Sequence, residues 1–194
     1  MAKLTIKGNG ATITRSTAAG TPDFRIITTT NSELSLLNLT ISNGRANEGA
    51  GIALTGNTKL SLNAVNLLNN HADEGGGVFV AYTGNQVNIT NSHFEGNKAT
   101  TWGGAVSVYI GNPSVTIMNS TFFNNEGPSG SSLFTYTTQN INVSNNCFVN
   151  NGDLSVFNYA SSTLSMPNNW WGASTGPSVS VDGNGDTIST KISY

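Results

Sequence analysis

Three acidic residues, Glu48, Asp73 and Glu74, are the first candidates for chemistry in this sequence. Glu48 and Glu74 each lie seven positions after a bulky apolar residue, Ile41 in one case and Leu67 in the other. Paired carboxyl groups can act as acid and base in glycoside hydrolysis, and a cluster of them can bind calcium. We favour a solvated corner of mixed charge, because these residues fall in a polar bend rather than on an alternating strand.

A second candidate is the segment Asp182-Gly-Asn184-Gly-Asp186, which spaces three oxygen-bearing side chains as a calcium loop does. Thr187 stands where such a loop has its glycine, and Ser193 stands where it has its bidentate Glu. We therefore favour a Gly-rich turn between the last two strands and expect no resident cofactor. Calcium is the alternative at this loop.

Aromatic residues and the single cysteine are the remaining candidates. Trp170 and Trp171 could stack on sugar rings, but Trp171 continues a column of core residues and is expected to be buried. Trp102 and Tyr109 are better placed for exposure but look scattered along the sequence. Cys147 has no evident base beside it, so we do not expect a nucleophilic thiol.

The composition favours a fold with few helices and many tight corners. Only 9% of the 194 residues are charged, against roughly 25% in ordinary soluble domains. Asn (28) and Gly (22) are abundant instead, and both accept the left-handed backbone conformations that corners need. A net charge of −2 provides no basic surface for nucleic acid, and no apolar run is long enough to enter a membrane.

The elements that position these candidates come from an internal repeat. The pattern apolar-x-apolar-x-Asn-x-x-bulky recurs six times, and a period of this length indicates a solenoid. The bulky position falls at Ile41, Leu67, Phe94, Phe122, Phe148 and Trp171, in steps of 26, 27, 28, 26 and 23 residues.

Each repeat contains two strand signals separated by a polar bend of about ten residues. The first strand alternates, as in Val87-Asn-Ile89, and the second follows a glycine pair, as in Gly76-Gly-Val-Phe-Val80. Residues one repeat apart would then stack in parallel register about 4.8 Å apart, like upon like. This predicts structural ladders of stacked rings and side-chain amides: Phe94, Phe122, Phe148 and Trp171 inside, and Asn70, Asn97, Asn125 and Asn151 at a corner.

The repeats resemble a known family. Gly-Gly-Gly-Val (76–79) and Gly-Gly-Ala-Val (103–106), with Phe-Glu-Gly-Asn (94–97), Phe-Phe-Asn-Asn (122–125) and Phe-Val-Asn-Asn (148–151), are similar to the paired GGAI and FxxN repeats of right-handed parallel β-helix proteins. Such repeats are familiar from polymorphic outer-membrane proteins and large bacterial surface proteins. The resemblance implies a right-handed, pectate-lyase-like β-helix, and it extends over nearly the whole chain.

From these observations we expect an all-β, right-handed parallel β-helix of about seven coils with almost no helix, as a single domain over residues 1–194. The absence of a signal core and of an anchor suggests a fragment of a longer extracellular or cell-surface protein. We expect a non-catalytic structural or adhesive module that self-associates head to tail through open solenoid ends, with a glycan or host-surface ligand as a further partner. The alternative is a polysaccharide-active enzyme, a lyase or glycoside hydrolase, or a carbohydrate-binding domain, using Glu48, Asp73 and Glu74.

Overall fold

The chain winds into a stack of parallel β-strands. The structure, a computed structural model, describes residues 1–179 and 185–194. Within these residues the strands form a β-solenoid of about seven turns with no helix, which confirms the predicted fold class. The right-handed sense of the coil rests on the family resemblance and stays a prediction. Among the described residues there is also no helix long and apolar enough to cross a membrane.

The strands of the described residues are, in chain order, β1 (Ala2–Thr14), β2 (Ile27–Thr30), β3 (Ser32–Ser42), β4 (Ile52–Thr55), β5 (Lys59–Leu68), β6 (His71–Glu74), β7 (Val78–Val80), β8 (Gln86–Thr90), β9 (His93–Glu95), β10 (Lys98–Trp102), β11 (Val106–Val108), β12 (Ser114–Met118), β13 (Thr121–Phe123), β14 (Leu133–Thr135), β15 (Ile141–Ser144), β16 (Cys147–Val149), β17 (Val156–Asn158), β18 (Leu164–Ser165) and β19 (Ile192–Ser193).

Two large sheets follow the solenoid axis. The first has nine strands: β1, β3, β5, β8, β12 and β15 stack in that order, and β9, β13 and β16 continue from the second half of β5. The second has six strands in the order β2, β4, β7, β11, β14 and β17. Every ladder is parallel, as the residue columns of the sequence predict.

The polar segment between these sheets differs from the prediction. We expected a bend, but β6 and β10 pair in parallel there and form a short third sheet. The pairing extends on both sides through isolated bridges from Arg45 to His71 and from Lys98 to Glu126. Stacking one coil on the next lets even polar segments satisfy their backbone donors and acceptors, because each coil presents the same backbone positions to its neighbour. The acidic candidates therefore lie on or beside strands.

Alternating side chains of the first sheet and residues of the second sheet fill the interior. The fully buried inward column of the first sheet consists of Leu36, Leu62, Ile89, Ile117 and Val143. Val78, Val106 and Leu133 of the second sheet pack in the same core cluster. Because successive strand residues point to opposite faces, one apolar residue in two is enough to build this core.

Left-handed residues turn the chain at the first corner of each coil. Asn91, Asn119, Asn145 and Asn168 have φ between 52° and 60°, and Ala64 has φ of 54° at the equivalent position of β5. Asn tolerates this conformation far better than Ala does, since its short polar side chain can hydrogen-bond locally. The repeated Asn of the sequence pattern therefore sets the corner, and Ala64 is strained there.

The two ends of the stack differ. At the N-terminal end, Leu4 of β1 is 58% exposed and Ile13 is 39% exposed, and they border an apolar cavity of about 410 Å³. At the other end Met166, Trp171 and Ile192 are buried. The first coil therefore presents an open apolar edge, whereas the last coil covers its interior.

Candidate functional site

The predicted asparagine residues form a continuous hydrogen-bonded ladder. The side-chain amide of Asn70 donates to Oδ1 of Asn97 at 3.0 Å, Asn97 donates to Asn125 at 3.0 Å, and Asn125 donates to Asn151 at 2.9 Å. Each Oδ1 also accepts the backbone N–H of the residue one coil earlier, at 3.0 to 3.2 Å. All four side chains are buried. The ladder thus satisfies polar groups that the coil would otherwise bury without partners.

Asp186 terminates this ladder. Its Oδ2 accepts the side-chain amide of Asn151 at 2.6 Å and the backbone N–H of Asn151 at 3.2 Å. Burial raises the pKa of the Asp186 carboxyl, although the hydrogen bonds from Asn151 oppose that rise. The proposed calcium partners Asp182 and Asn184 lie outside the described residues, so the calcium loop stays a prediction. Asp186, the described member of that loop, instead accepts hydrogen bonds from Asn151 with its carboxylate.

The predicted aromatic column lies inside the coil as a stack of parallel rings. Ring centroids are 4.8 Å apart between Phe94 and Phe122, 4.9 Å between Phe122 and Phe148, and 4.8 Å between Phe148 and Trp171. Interplanar angles of 9° to 14° show that the rings are nearly parallel, and their separations match the spacing of neighbouring parallel strands. Trp171 is buried, whereas Trp170 is 49% exposed. The structure therefore separates the two tryptophans and provides no platform made of both.

The structure places the acidic residues together on adjacent coils. Glu48 forms a parallel bridge to Glu74, and Asp73 directly precedes Glu74 in β6. The pKa of the Glu74 carboxyl is raised, first by burial and then by the charges of Glu48 and Asp73. Its Oε2 is shielded from solvent and has no hydrogen-bond partner among the described residues. Glu74 therefore favours its protonated form more than a free glutamic acid does.

Within the described residues, the cations around this corner form no ion pair with Glu48, Asp73 or Glu74. Arg25 donates to the backbone carbonyl of Glu48 at 2.6 and 2.8 Å rather than to a carboxylate. Lys98 pairs with Glu126 at 2.6 Å, on the exposed side of the third sheet. Burial and the nearby charges of Arg45 and Lys98 lower the pKa of His71. The corner thus combines one protonation-prone carboxyl group with two exposed carboxylates, and no cation lies against Glu74 in the described ranges.

An aromatic layer covers the outer face of the second sheet, next to this corner. The middle, outward position of successive strands is occupied by Ala53, Phe79, Ser107, Phe134 and Phe157. Ser107 leaves space between two phenylalanines, and the indole of Trp102 stacks on Phe134 at 5.3 Å. The hydroxyl of Ser107 is buried without a partner in the described chain. Trp102 also pairs with Glu74 across the third sheet, so the acidic corner borders the aromatic layer.

A column of tyrosines, half-buried at Tyr109 and exposed at Tyr136 and Tyr159, forms the rim of this layer. Tyr109, Tyr136 and Tyr159 each follow directly the last residue of β11, β14 and β17, and each donates its backbone N–H to the preceding coil. Centroids are 5.7 Å apart between Tyr109 and Tyr136 and 4.9 Å between Tyr136 and Tyr159, and Trp102 stacks on Tyr109 at 5.3 Å. The expectation that Trp102 and Tyr109 are scattered is therefore wrong. The recurrence of Tyr one residue after the second strand was the signal that the sequence offered.

Cys147 is a free, half-buried cysteine. Burial, followed by the charge of Asp186, raises the pKa of its thiol, which disfavours the reactive thiolate.

No protein-family model matches the chain, and no curated protein and no solved structure matches it significantly. The structure defines the protein as a parallel β-solenoid, with two interior ladders, an acidic corner and an outer aromatic layer.

Proposed function

We propose that this chain is a rigid, non-catalytic β-solenoid module that serves a structural or adhesive role in a secreted bacterial surface protein. The resemblance of the paired glycine and Phe-x-x-Asn repeats supports the surface location. The interior ladders support the structural role, and the outer aromatic layer provides the adhesive surface.

The observation that carries this proposal is the unbroken ladder from Asn70 to Asp186. Every amide in it is buried and hydrogen-bonded to the next coil, so these polar side chains are used to hold coils in register. Buried amides that are fully satisfied stiffen a fold and specify one register. Rigidity of this kind suits a spacer or display element.

The first test is an assay for catalysis on a panel of neutral polysaccharides and polyuronates. Wild type and a Glu48→Gln/Glu74→Gln variant are incubated with each polymer, and new reducing ends and unsaturated products are measured. We expect no product above a protein-free control from either form. Product made by wild type and lost in the variant would overturn the non-catalytic role.

The second candidate function is a polysaccharide-active enzyme at the acidic corner. The raised pKa of Glu74 beside Glu48 favours it, because a protonated carboxyl group next to a carboxylate is the pairing that glycoside hydrolysis requires. A lyase acting on uronates is less well supported, since such substrates are anionic and no cation lies against Glu74 among the described residues. A bell-shaped pH profile of hydrolysis that is lost in the double variant would establish this alternative.

Self-association is a further proposal, and it rests on the open N-terminal end of the stack. Leu4 and Ile13 leave apolar surface and an unpaired edge of β1 at the N-terminal end, and such edges readily pair with other strands. Among the described residues, the opposite end carries the two-residue strand β19 and buries Ile192. Negative-stain electron microscopy over a concentration series distinguishes the outcomes: fibres support head-to-tail stacking, whereas particles of constant size rule it out.

A further inference from the structure

The tyrosine column has the properties of a ligand-binding surface. Tyr136 is 43% exposed and Tyr159 is 55% exposed, although a solenoid core needs neither of them. The centroids of their rings are 4.9 Å apart and the ring planes lie 26° from parallel, so their faces turn towards each other. The hydroxyls of Tyr109, Tyr136 and Tyr159 make no hydrogen bond to any described residue. Exposed aromatic groups arranged contiguously in this way mark interaction sites.

The spacing of the column indicates a ligand that is itself periodic. Each coil presents one tyrosine ring, and the ring centroids are 5.7 Å apart between Tyr109 and Tyr136 and 4.9 Å apart between Tyr136 and Tyr159. A pyranose unit of an extended β-linked polysaccharide advances its chain by a similar distance and carries hydroxyls that can pair with each phenol. An extended peptide fits less well, since side chains on one of its faces recur every two residues, or about 6.7 Å.

The charges around the column indicate a neutral ligand. The tyrosines and the outward column beneath them contain no carboxylate or ammonium group. Thr138 and Ser162, which follow Tyr136 and Tyr159 in the chain by two and three residues, pair through their hydroxyls at 2.5 Å. Glu48 and Glu74 lie on the side towards the first coils, and the ammonium of Lys191 lies at the far end, where it donates to the carbonyl of Ala160. Opposite charges at the two ends leave no field of one sign to attract a polyanion.

We propose that Tyr109, Tyr136 and Tyr159, with the half-buried Trp102 supporting the first ring, form a binding site for a neutral, extended β-linked polysaccharide that lies along the solenoid axis with one sugar unit per coil. This inference deepens the adhesive part of the proposed function and rests on it. A rigid ladder holds the phenols at the period of the polymer, so little conformational entropy is lost when the polymer binds.

Affinity electrophoresis in gels containing a β-glucan, xylan or mannan tests the site, with polygalacturonate and an α-linked dextran as contrasting polymers. We expect at least one neutral β-linked polymer to retard wild type. Titration with β-1,4-linked oligosaccharides of two to six units should show affinity rising with length and levelling off at about three units, because the column offers one tyrosine on each of three coils. Retardation by polygalacturonate alone, or by no neutral β-linked polymer, would overturn the proposal.

Three variants assign the binding to the column. Tyr136→Ala/Tyr159→Ala should weaken binding roughly tenfold or more, as loss of central aromatic contacts does. Tyr136→Phe/Tyr159→Phe keeps the ring stack and removes only the hydroxyls, so it should fold as wild type does and bind more weakly. Tyr194→Ala, a change of an equally exposed tyrosine away from the column, should bind normally.

Unchanged binding in the Phe and Ala double variants would show that the site lies elsewhere. Size-exclusion chromatography of wild type and the Ala double variant tests the competing occupant. A dimer that only wild type forms would assign the column to a second copy of the chain and refute the glycan site. If no polysaccharide binds, the glycan site is refuted, but the catalysis assay and the stability of the asparagine ladder still test the structural role. The glycan site and the structural role can therefore fail independently.

Discussion

Removal of one amide from the asparagine ladder should destabilise the protein strongly. Asn97 is fully buried, and its Oδ1 accepts both the backbone N–H of Asn70 at 3.2 Å and the side-chain amide of Asn70 at 3.0 Å. Its own amide donates to the carbonyl of Leu67 at 2.8 Å and to Asn125 at 3.0 Å. The change Asn97→Ala removes all four bonds and leaves two donors of Asn70 without an acceptor.

The loss of stability can be worked out from the two unpaired donors of Asn70 and the lost hydrogen bonds of Asn97. A buried donor without a partner costs about 1–3 kcal/mol, so Asn70 alone accounts for at least about 2 kcal/mol. The lost bonds to Leu67 and Asn125 add about 0.5–1.5 kcal/mol each, and a water molecule that enters the space recovers part of the total. We expect the free energy of unfolding to fall by about 3 kcal/mol, a large fraction of the roughly 5–15 kcal/mol typical of folded proteins.

Urea unfolding followed by circular dichroism measures this effect. With a slope of about 2 kcal/mol per molar urea, the midpoint should fall by about 1.5 M. Asn88→Ala is the matched control, because Asn88 lies on β8 of the same coil, is exposed, and makes no side-chain hydrogen bond to a described residue. If Asn97→Ala shifts the midpoint no further than Asn88→Ala, the ladder amides do not stabilise the coil and the reasoning is wrong.

Three other changes test the remaining electrostatic and backbone features. Asp186→Asn keeps an acceptor for Asn151 and removes a buried charge; because the folded-state pKa of Asp186 is raised, we expect a higher melting temperature at pH 7 and a smaller gain near pH 4. An unchanged difference across that range would contradict the raised pKa. Ala64→Asn places a tolerant residue at φ of 54° on an exposed corner and should stabilise by about 1 kcal/mol, whereas a loss of stability would show that the corner is not strained. Because the folded-state pKa of Glu74 is raised, we expect wild type to lose stability as the pH rises from about 4.3, the usual pKa of Glu, through that raised pKa. Glu74→Gln removes the titrating group and should make this loss of stability smaller. Parallel melting curves of wild type and variant from pH 4 to 8 would refute this.

The interior of the coil could be predicted from the sequence because identical residues recur at identical positions. Phe94 and Phe122 predict a stack, and the structure has one at 4.8 Å. The outer features could not be predicted in the same way, since they involve different residue types on neighbouring coils. Trp102 stacks on Phe134, whose neighbour on the preceding coil is the small residue Ser107.

The sequence by itself determined the parallel stack, the inward columns and the left-handed corners, because these follow from a local pattern that each coil repeats. Only the tertiary structure decided how the coils end and what their outer faces present. Asp186 lies 35 residues after Asn151, outside the spacing of the other ladder members, yet its carboxylate takes the next place in the ladder. A period read along the chain cannot follow a segment of irregular length, whereas the folded backbone brings whichever side chain has the right geometry to the last open hydrogen-bonding position.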